Sequence, residues 1–250
     1  MLTRKQLKSV HNEDLPLHIF EQDYIQAVFL KELYRISEDL VFKGGTYLKH
    51  AHGLDRFSED LDFTQTSNGT KKELDEAAQR LGNYGIQAEV NNWKETDNSL
   101  TARLHYQGPL YDGSERSKGN IDLEISKRDD ILLEPDWKRL FFPYPETRTV
   151  ICLGMKLEET MAEKLRALSM RNKPRDLYDI WYLLKQNVNV DRELYRKKMK
   201  SVGVNPGFRL DLDERTWKGD LKILLQRPPR FEDVISEVKK ILEKEKILKE

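Results

Sequence analysis

The spacing of apolar residues divides the chain into a mixed first part and a helical second part. Between residues 15 and 40, apolar side chains recur mostly at intervals of three, four and seven or eight, which predicts one helix or two in succession. A short apolar run at 41–42 ends at a pair of glycines, 44–45, where the backbone is expected to turn. Residues 46–52 are then predicted to be helical, and the alternating segment 60–63 to be a strand.

Short strands dominate the rest of the first part. A helix predicted at 73–81 is followed by candidate strands at 86–90, 100–106 and 120–126, and the last two are separated by a segment rich in turn-forming residues. This order of elements predicts an α/β half.

An aperiodic segment with two prolines, FFPYPETRT at 141–149, separates the two parts. We therefore predict domains at 1–148 and 149–250. Beyond the boundary the apolar stripes predict helices almost throughout, among them 157–170 and 231–250.

Composition limits the possible functions. The 43 basic and 43 acidic residues cancel, so any surface that binds nucleic acid must be local. No apolar run approaches the roughly 18 residues of a membrane span, and the single cysteine, Cys152, excludes an internal disulfide and a cysteine-rich zinc site. These features predict a cytoplasmic protein without a membrane segment.

A basic run at 192–200 is predicted to be a solvated helix face rather than an RNA contact, and three tryptophans are predicted to be core: Trp137, Trp181 and Trp217.

Two pairs of acids carry the first chemical signal. Asp60 and Asp62 are two residues apart, so on a strand they project to the same face, and Asp122 and Glu124 repeat this arrangement. An isolated Asp-x-Asp is more often the polar edge of a strand. If the two strands are neighbours, however, three or four carboxylates converge, and such oxygen ligands suit the Mg²⁺ or Mn²⁺ ions of a two-metal phosphoryl or nucleotidyl transfer site.

The segment Gly44-Gly45-Thr46 supplies the second signal. Glycines let backbone N–H groups approach phosphate oxygens, and the start of the following helix favours an anion. Alone, the tripeptide is more often a plain turn. The chain contains no G-x-x-x-x-G-K-[ST] motif and is therefore not a P-loop protein.

Together these segments resemble a known family. Gly44-Gly45-Thr46, thirteen intervening residues and Asp60-Leu61-Asp62-Phe63 resemble the signature of the DNA polymerase β-like nucleotidyltransferase superfamily. The chain also resembles the AbiEii/AbiGii toxin family, because Lys43 precedes the glycines and RFS at 56–58 precedes the acids. The resemblance extends to EKLRAL at 163–168 with Arg171, and to RDLYD at 175–179.

The resemblance implies an α+β fold, in which a polymerase β-like nucleotidyltransferase domain with a mixed sheet flanked by helices precedes a helical C-terminal domain that completes the nucleotide cleft. It also implies metal-dependent transfer of a nucleoside monophosphate from an NTP to an acceptor, which is either RNA, such as a tRNA 3′ end, or protein. Members of this family act as toxins of toxin–antitoxin or phage-abortive systems, so an antitoxin partner is expected.

By the same resemblance, Asp60 and Asp62 hold the metal ions, with Glu124 as the third acid and Asp122 as its substitute. The nucleotide is expected to contact six further residues: Gly44, Gly45, Thr46, Ser58, Arg171 and Asp176. Lys164 is expected to contact the nucleotide and to act in catalysis together with Asp179.

The helical residues also have a simpler interpretation. Lys164 and Arg171 lie at the border of one apolar stripe, and Asp176 and Asp179 share a side of the next helix, so the four can form an ordinary interhelical salt-bridge set. Two alternative functions remain open. One is a two-metal nuclease, because clustered acids alone do not distinguish hydrolysis from transfer. The other is a non-catalytic nucleotide-binding module.

Overall fold

The computed structural model describes residues 1–67, 69–128 and 131–248, which form two compact units. The first unit contains residues 1–128 and 135–154, and the second contains 131–134 and 155–248. Apart from residues 131–134, the chain passes into the second unit after residue 154 rather than after 148, because residues 150–154 form a strand of the first unit's sheet.

The first unit is built on a mixed sheet of seven strands in the order β3-β4-β5-β2-β1-β7-β6. The pairs β2–β5 and β1–β7 are parallel, and the remaining neighbours are antiparallel. The strands are β1 (Leu40–Lys43), β2 (Leu61–Gln65), β3 (Gln87–Glu95), β4 (Ser99–Gln107), β5 (Gly119–Ser126), β6 (Asp136–Leu140) and β7 (Val150–Gly154). The predicted α+β fold is confirmed.

Four α-helices accompany this sheet in the described part of the first unit: α1 (Arg4–Ser9), α2 (Leu17–Leu33), α3 (Gly44–His52) and α4 (Thr70–Arg80). α2 is buried along most of its length, and four of its polar residues are buried with the apolar ones: Glu21, Asp23, Gln26 and Glu32. It ends at Leu33, seven residues before the predicted limit. α3 begins at Gly44, so the two glycines form the first turn of the helix and not a loop ahead of it.

The sheet has a buried face and an open face along β4 and β5. Leu104 and Leu123 represent the buried positions of these strands, where α2 packs on β5 and α4 packs on the neighbouring β3. The alternate positions, which include Arg103, Asp122 and Glu124, are partly or fully exposed. This alternation is the pattern of an antiparallel pair with one face on the core and one toward solvent.

The second unit is helical, as predicted. Its described helices are α5 (Leu157–Arg171), α6 (Pro174–Lys185), α7 (Arg192–Ser201), α8 (Glu214–Leu221) and α9 (Phe231–Lys244). Pro174 occupies the first turn of α6, where its missing N–H costs nothing. In the described residues, no helix is long and apolar enough to cross a membrane.

Two expectations about single residues are wrong. Lys198, in the basic run, is fully buried, because Glu159 and Glu163 bind its ammonium group at 2.6 and 3.0 Å. Trp137 is 56% exposed and not core, because it lies on β6 at the edge of the sheet, whereas Trp217 is buried as expected.

Candidate active site

The sheet brings the two acidic segments together. β2 and β5 are parallel neighbours, and their register places Asp62 directly opposite Glu124. Cross-strand partners share a face of the sheet, so both carboxylates project to the open side. Asp60 comes immediately before β2 rather than on it. The condition set by the sequence, that the two strands be neighbours, is therefore met.

The backbone at Asp60 is held from two sides. The Thr46 hydroxyl donates a hydrogen bond of 2.6 Å to the Asp60 carbonyl, and Thr46 is fully buried. The Gln26 amide on α2 donates to the carbonyls of Ser58 and Glu59, both at 3.0 Å. The structure thus gives the Thr46 hydroxyl a positioning role, since it is engaged by the turn that carries Asp60.

Asp60 is perturbed by burial and by the neighbouring acids. Burial, followed by the charges of Asp62 and Glu124, raises the pKa of Asp60 to about 7. A carboxyl with a pKa in this range exchanges protons near neutral pH, and perturbation of this size is typical of functional sites. It also means that a cation placed among these groups relieves a real repulsion.

Asp122 and Glu124 have different environments, although they share a face of β5. Arg103 on β4 binds Asp122 through two contacts, Nε to Oδ1 at 2.6 Å and Nη2 to Oδ2 at 3.2 Å. Such a two-point pair neutralises the carboxylate and fixes its direction. Glu124, by contrast, is the register partner of Asp62. The geometry therefore favours Glu124 over Asp122 as the third acid.

The glycine pair lies directly against the acids. Gly44 has a φ of +79°, and a Cβ at this position would overlap the Asp62 carboxylate. A Cβ on Gly45 would lie 2.6 Å from Ser58 Oγ and 2.7 Å from the guanidinium of Arg56. Only glycine fits at either position without displacing these groups. The N-cap residue of α3, Lys43, makes no side-chain bond to the first N–H groups of the helix, and a helix N-terminus favours an anion.

The donor set fits a hard divalent cation in chemistry. Asp60, Asp62 and Glu124 offer oxygen ligands only, and the charges of Asp62 and Glu124 add to burial in raising the pKa of Asp60. Their described side chains do not stand close enough to form a closed ligand group, and the same holds for every other set of three or more His, Cys, Asp or Glu residues in the described chain. Ligation by all three acids thus requires their side chains to turn toward one ion.

The second unit contains a separate ionic cluster. Lys164 Nζ lies 2.7 Å from Asp179 Oδ2 and 3.8 Å from Asp176 Oδ1, and both carboxylates are fully buried. Arg171 binds Asp176 through Nε at 2.7 Å and Nη2 at 2.8 Å. All four predicted residues therefore come together as the interhelical salt-bridge set. Of the two cations, Arg171 is the more open, with 48% of its side chain exposed against 10% for Lys164.

Sequence reasoning missed two supports of the site. The helical pattern does not distinguish Gln26 from its neighbours. Gln22, one turn earlier, also donates a hydrogen bond to the Glu59 carbonyl, at 2.9 Å. Arg56 was noticed only as part of a motif, yet it is buried beside Gly45. The spacing of the two glutamines, four residues apart on one helix, could have indicated the role of Gln26. Nothing in the local sequence indicates that Arg56 is buried.

Acids on adjacent parallel strands, set against a glycine-led helix start, define a nucleotidyltransferase-type site. The chain belongs to the nucleotidyl transferase AbiEii toxin family of type IV toxin–antitoxin systems, whose family model matches residues 29–244. It is accordingly a nucleotidyltransferase toxin, and membership implies an NTP substrate and an antitoxin partner.

Solved structures show the same fold. MenT4, a nucleotidyltransferase toxin from Mycobacterium tuberculosis H37Rv, matches with a TM-score of 0.74 at 21% identity over 96% of this chain and 88% of its own. JHP933 from Helicobacter pylori matches with a TM-score of 0.58 at 23% identity over 92% of each chain. A putative nucleotidyltransferase from H. pylori gives 0.54 at 23% identity over 90% of this chain and 95% of its own. No curated protein matches the sequence.

Proposed function

We propose that this toxin transfers a nucleoside monophosphate from an NTP to an RNA or protein acceptor, using Mg²⁺ or Mn²⁺ held by Asp60, Asp62 and Glu124. The observation that carries the proposal is the register of β2 and β5, which sets Asp62 opposite Glu124 beside the start of α3. The raised pKa of Asp60 supports it, because after burial its main causes are the charges of Asp62 and Glu124, which a cation would offset.

The first unit supplies the parts of an in-line displacement. The first turn of α3 receives the leaving phosphates through its N–H groups, with Ser58 beside Gly45 as a further donor. Thr46 and Gln26 fix the turn that carries Asp60, so the acid is in place before the nucleotide arrives. A bound divalent cation supplies Lewis-acid polarisation and lowers the pKa of the acceptor hydroxyl.

The bond changes follow from this arrangement. The acceptor oxygen forms a bond to the α-phosphorus, the bond from the α-phosphorus to the bridging oxygen breaks, and pyrophosphate leaves. The acceptor proton passes to solvent, which reaches the cluster at the exposed Glu124. Contact of Lys164, Arg171, Asp176 and Asp179 with the nucleotide, and a cytoplasmic location, remain predictions.

The experiment is incorporation of label from NTPs into total RNA and protein by the purified chain with Mg²⁺. We expect label from the α-phosphate and none from the γ-phosphate, and loss of incorporation in Asp62→Asn. Asp97→Asn is the matched control, because Asp97 is an exposed acid in the turn between β3 and β4. Incorporation of γ-label, or full activity in Asp62→Asn, contradicts the proposal. Shortening of RNA without any NTP identifies a nuclease instead.

A further inference from the structure

A lysine stands beside the acids, on the side away from Glu124. β1 pairs with β2 in antiparallel register, and Lys43, the last residue of β1, is the register partner of Asp62. Asp62 therefore has Lys43 as its cross-strand neighbour on one side and Glu124 on the other. None of the roles derived above uses the side chain of Lys43.

The Lys43 side chain projects to the face of the sheet that carries the acids. Phe42 and Phe63, the residues next to Lys43 and Asp62, are buried, and their rings stack at a centroid distance of 5.2 Å. Because successive side chains of a strand point to opposite faces, Lys43 and Asp62 share the other face. Opposed residues of an antiparallel pair have Cβ atoms about 5 Å apart, so the Asp62 carboxylate lies within reach of a lysine ammonium group.

The Asp62 carboxylate is turned toward β1. A Cβ on Gly44 would overlap its Oδ2 atom, so the carboxylate rests against the backbone of the residue that follows Lys43. Asp60, Asp62 and Glu124 accordingly do not form a closed ligand group in the described chain. The carboxylate thus lies on the side of the lysine, and it must turn away from β1 to share a cation with Glu124.

Positive groups continue from Lys43 into the first turn of α3. The N–H groups of this turn carry the positive end of the helix dipole. A Cβ on Gly45 would lie 2.7 Å from Nη2 of Arg56, which is almost fully buried. Charge therefore changes sign across the site, from Lys43 and Arg56 at the start of α3 to the acids of β2 and β5. A triphosphate with its divalent cation matches this order, because Mg²⁺ is commonly held by carboxylates and substrate phosphates together.

We propose that Lys43 has two successive partners: its ammonium group balances the Asp62 carboxylate in the nucleotide-free protein, and it binds the phosphates of the NTP once a divalent cation occupies Asp62. The proposal rests on the nucleotidyl transfer proposed above. Two cations at one carboxylate repel each other, so Lys43 and the divalent cation compete for Asp62. The triphosphate removes this competition, because it supplies negative charge for both.

The test compares Lys43→Met and Lys43→Arg with the control Lys72→Met. Methionine removes the charge of lysine, whereas arginine keeps it. Lys72 is an exposed lysine in the first turn of α4, so its replacement makes the same chemical change outside the site. Isothermal titration calorimetry measures the binding of Mn²⁺ alone and of inorganic tripolyphosphate with saturating Mg²⁺. Tripolyphosphate has no base, so the measurement does not depend on which NTP the toxin uses.

We expect Lys43→Met to bind Mn²⁺ about 1.4- to 5-fold more tightly than the wild type, the range that corresponds to loss of one competing cross-strand charge. The same variant should bind tripolyphosphate roughly 10- to 150-fold more weakly, because it loses a hydrogen bond between charged groups. KM for the NTP should rise in parallel. Lys43→Arg should recover most of the tripolyphosphate affinity, and Lys72→Met should bind both ligands as the wild type does.

The opposite signs of the two changes distinguish this role from a structural one, because a damaged fold weakens both ligands; circular dichroism melting of each variant checks the fold. Mn²⁺ binding that is unchanged or weaker in Lys43→Met overturns the proposal, and so does unchanged tripolyphosphate binding. Neither titration uses an acceptor, so failure of the Lys43 role is separable from failure of transfer. A wild type that binds both ligands but incorporates no label removes the proposed function, and the two binding constants still decide the role of Lys43.

Discussion

Replacing Asp60 with asparagine should stabilise the fold at neutral and basic pH while it removes activity. The folded pKa of Asp60 is about 7 against an ordinary value of 3.8, so the folded state holds a proton that the unfolded chain has already released. Stability contributed by this group therefore falls as pH rises from 3.8 to about 7, and it is constant above that range. Asparagine keeps the shape and has no charge to bury.

The magnitude follows from the same difference. Each pH unit between the two pKa values corresponds to 1.36 kcal/mol, so a difference of about three units sets a ceiling of about 4 kcal/mol. The side chain retains some solvent contact, which lowers the value below that ceiling. We expect the stability advantage of Asp60→Asn to be near zero at pH 4, to grow up to pH 7 and then to level off.

The assay is urea unfolding of both proteins from pH 4 to pH 9 in the presence of a chelator. Asp97→Asn is the control, because Asp97 is an exposed acid in the turn between β3 and β4 and its replacement should change stability by less than about 1 kcal/mol. A pH-independent difference between Asp60→Asn and the wild type, or a variant that is less stable at pH 8, would refute the reasoning. Added Mg²⁺ should then stabilise the wild type more than the variant.

Three further changes test the supports of the two ionic sites. Gly44→Ala should reduce nucleotide incorporation by about 100-fold or more, because its Cβ would overlap the Asp62 carboxylate and φ is positive at this position. Incorporation kinetics measure this loss, and near-normal activity would contradict it. Thr46→Val should lower kcat about tenfold because it frees the Asp60 carbonyl, whereas Thr46→Ser should keep both the bond and the rate. Asp179→Asn should lower the free energy of unfolding in urea by about 3 kcal/mol, because it leaves Lys164 without its nearest partner. Adding Lys164→Met to this variant should recover part of the loss. An unchanged urea midpoint in the single variant would contradict a buried ion pair.

The sequence predicted those parts of the site that depend on local pattern. The glycine pair and the acidic alternation of β2 and β5 are encoded within a few residues each, so their strands and the α3 helix were expected. β6 and β7 were missed, because each has only five residues and prolines interrupt the segment between them. β7 pairs with β6 over five residues and with β1 over two, and β1 lies more than a hundred residues away in the sequence.

The remaining differences arise from long-range contacts. Lys198 was predicted to be a solvated cation because its sequence neighbours are basic. In the structure its ammonium group forms a buried ion pair with Glu159 on α5. Thr46 was predicted to donate a hydrogen bond to phosphate because it follows two glycines. In the structure its hydroxyl donates to the Asp60 carbonyl. In both cases the decisive partner lies beyond the reach of any local pattern.

The measurement that tests the central claim most directly is the stoichiometry of one reaction. Wild-type protein, α-labelled NTP, Mg²⁺ and acceptor RNA are combined, and incorporated label and released pyrophosphate are counted together. One pyrophosphate per incorporated nucleotide, with neither product formed by Asp62→Asn, is the predicted result. Release of orthophosphate instead, or equal product from Asp62→Asn, would contradict nucleotidyl transfer at this site.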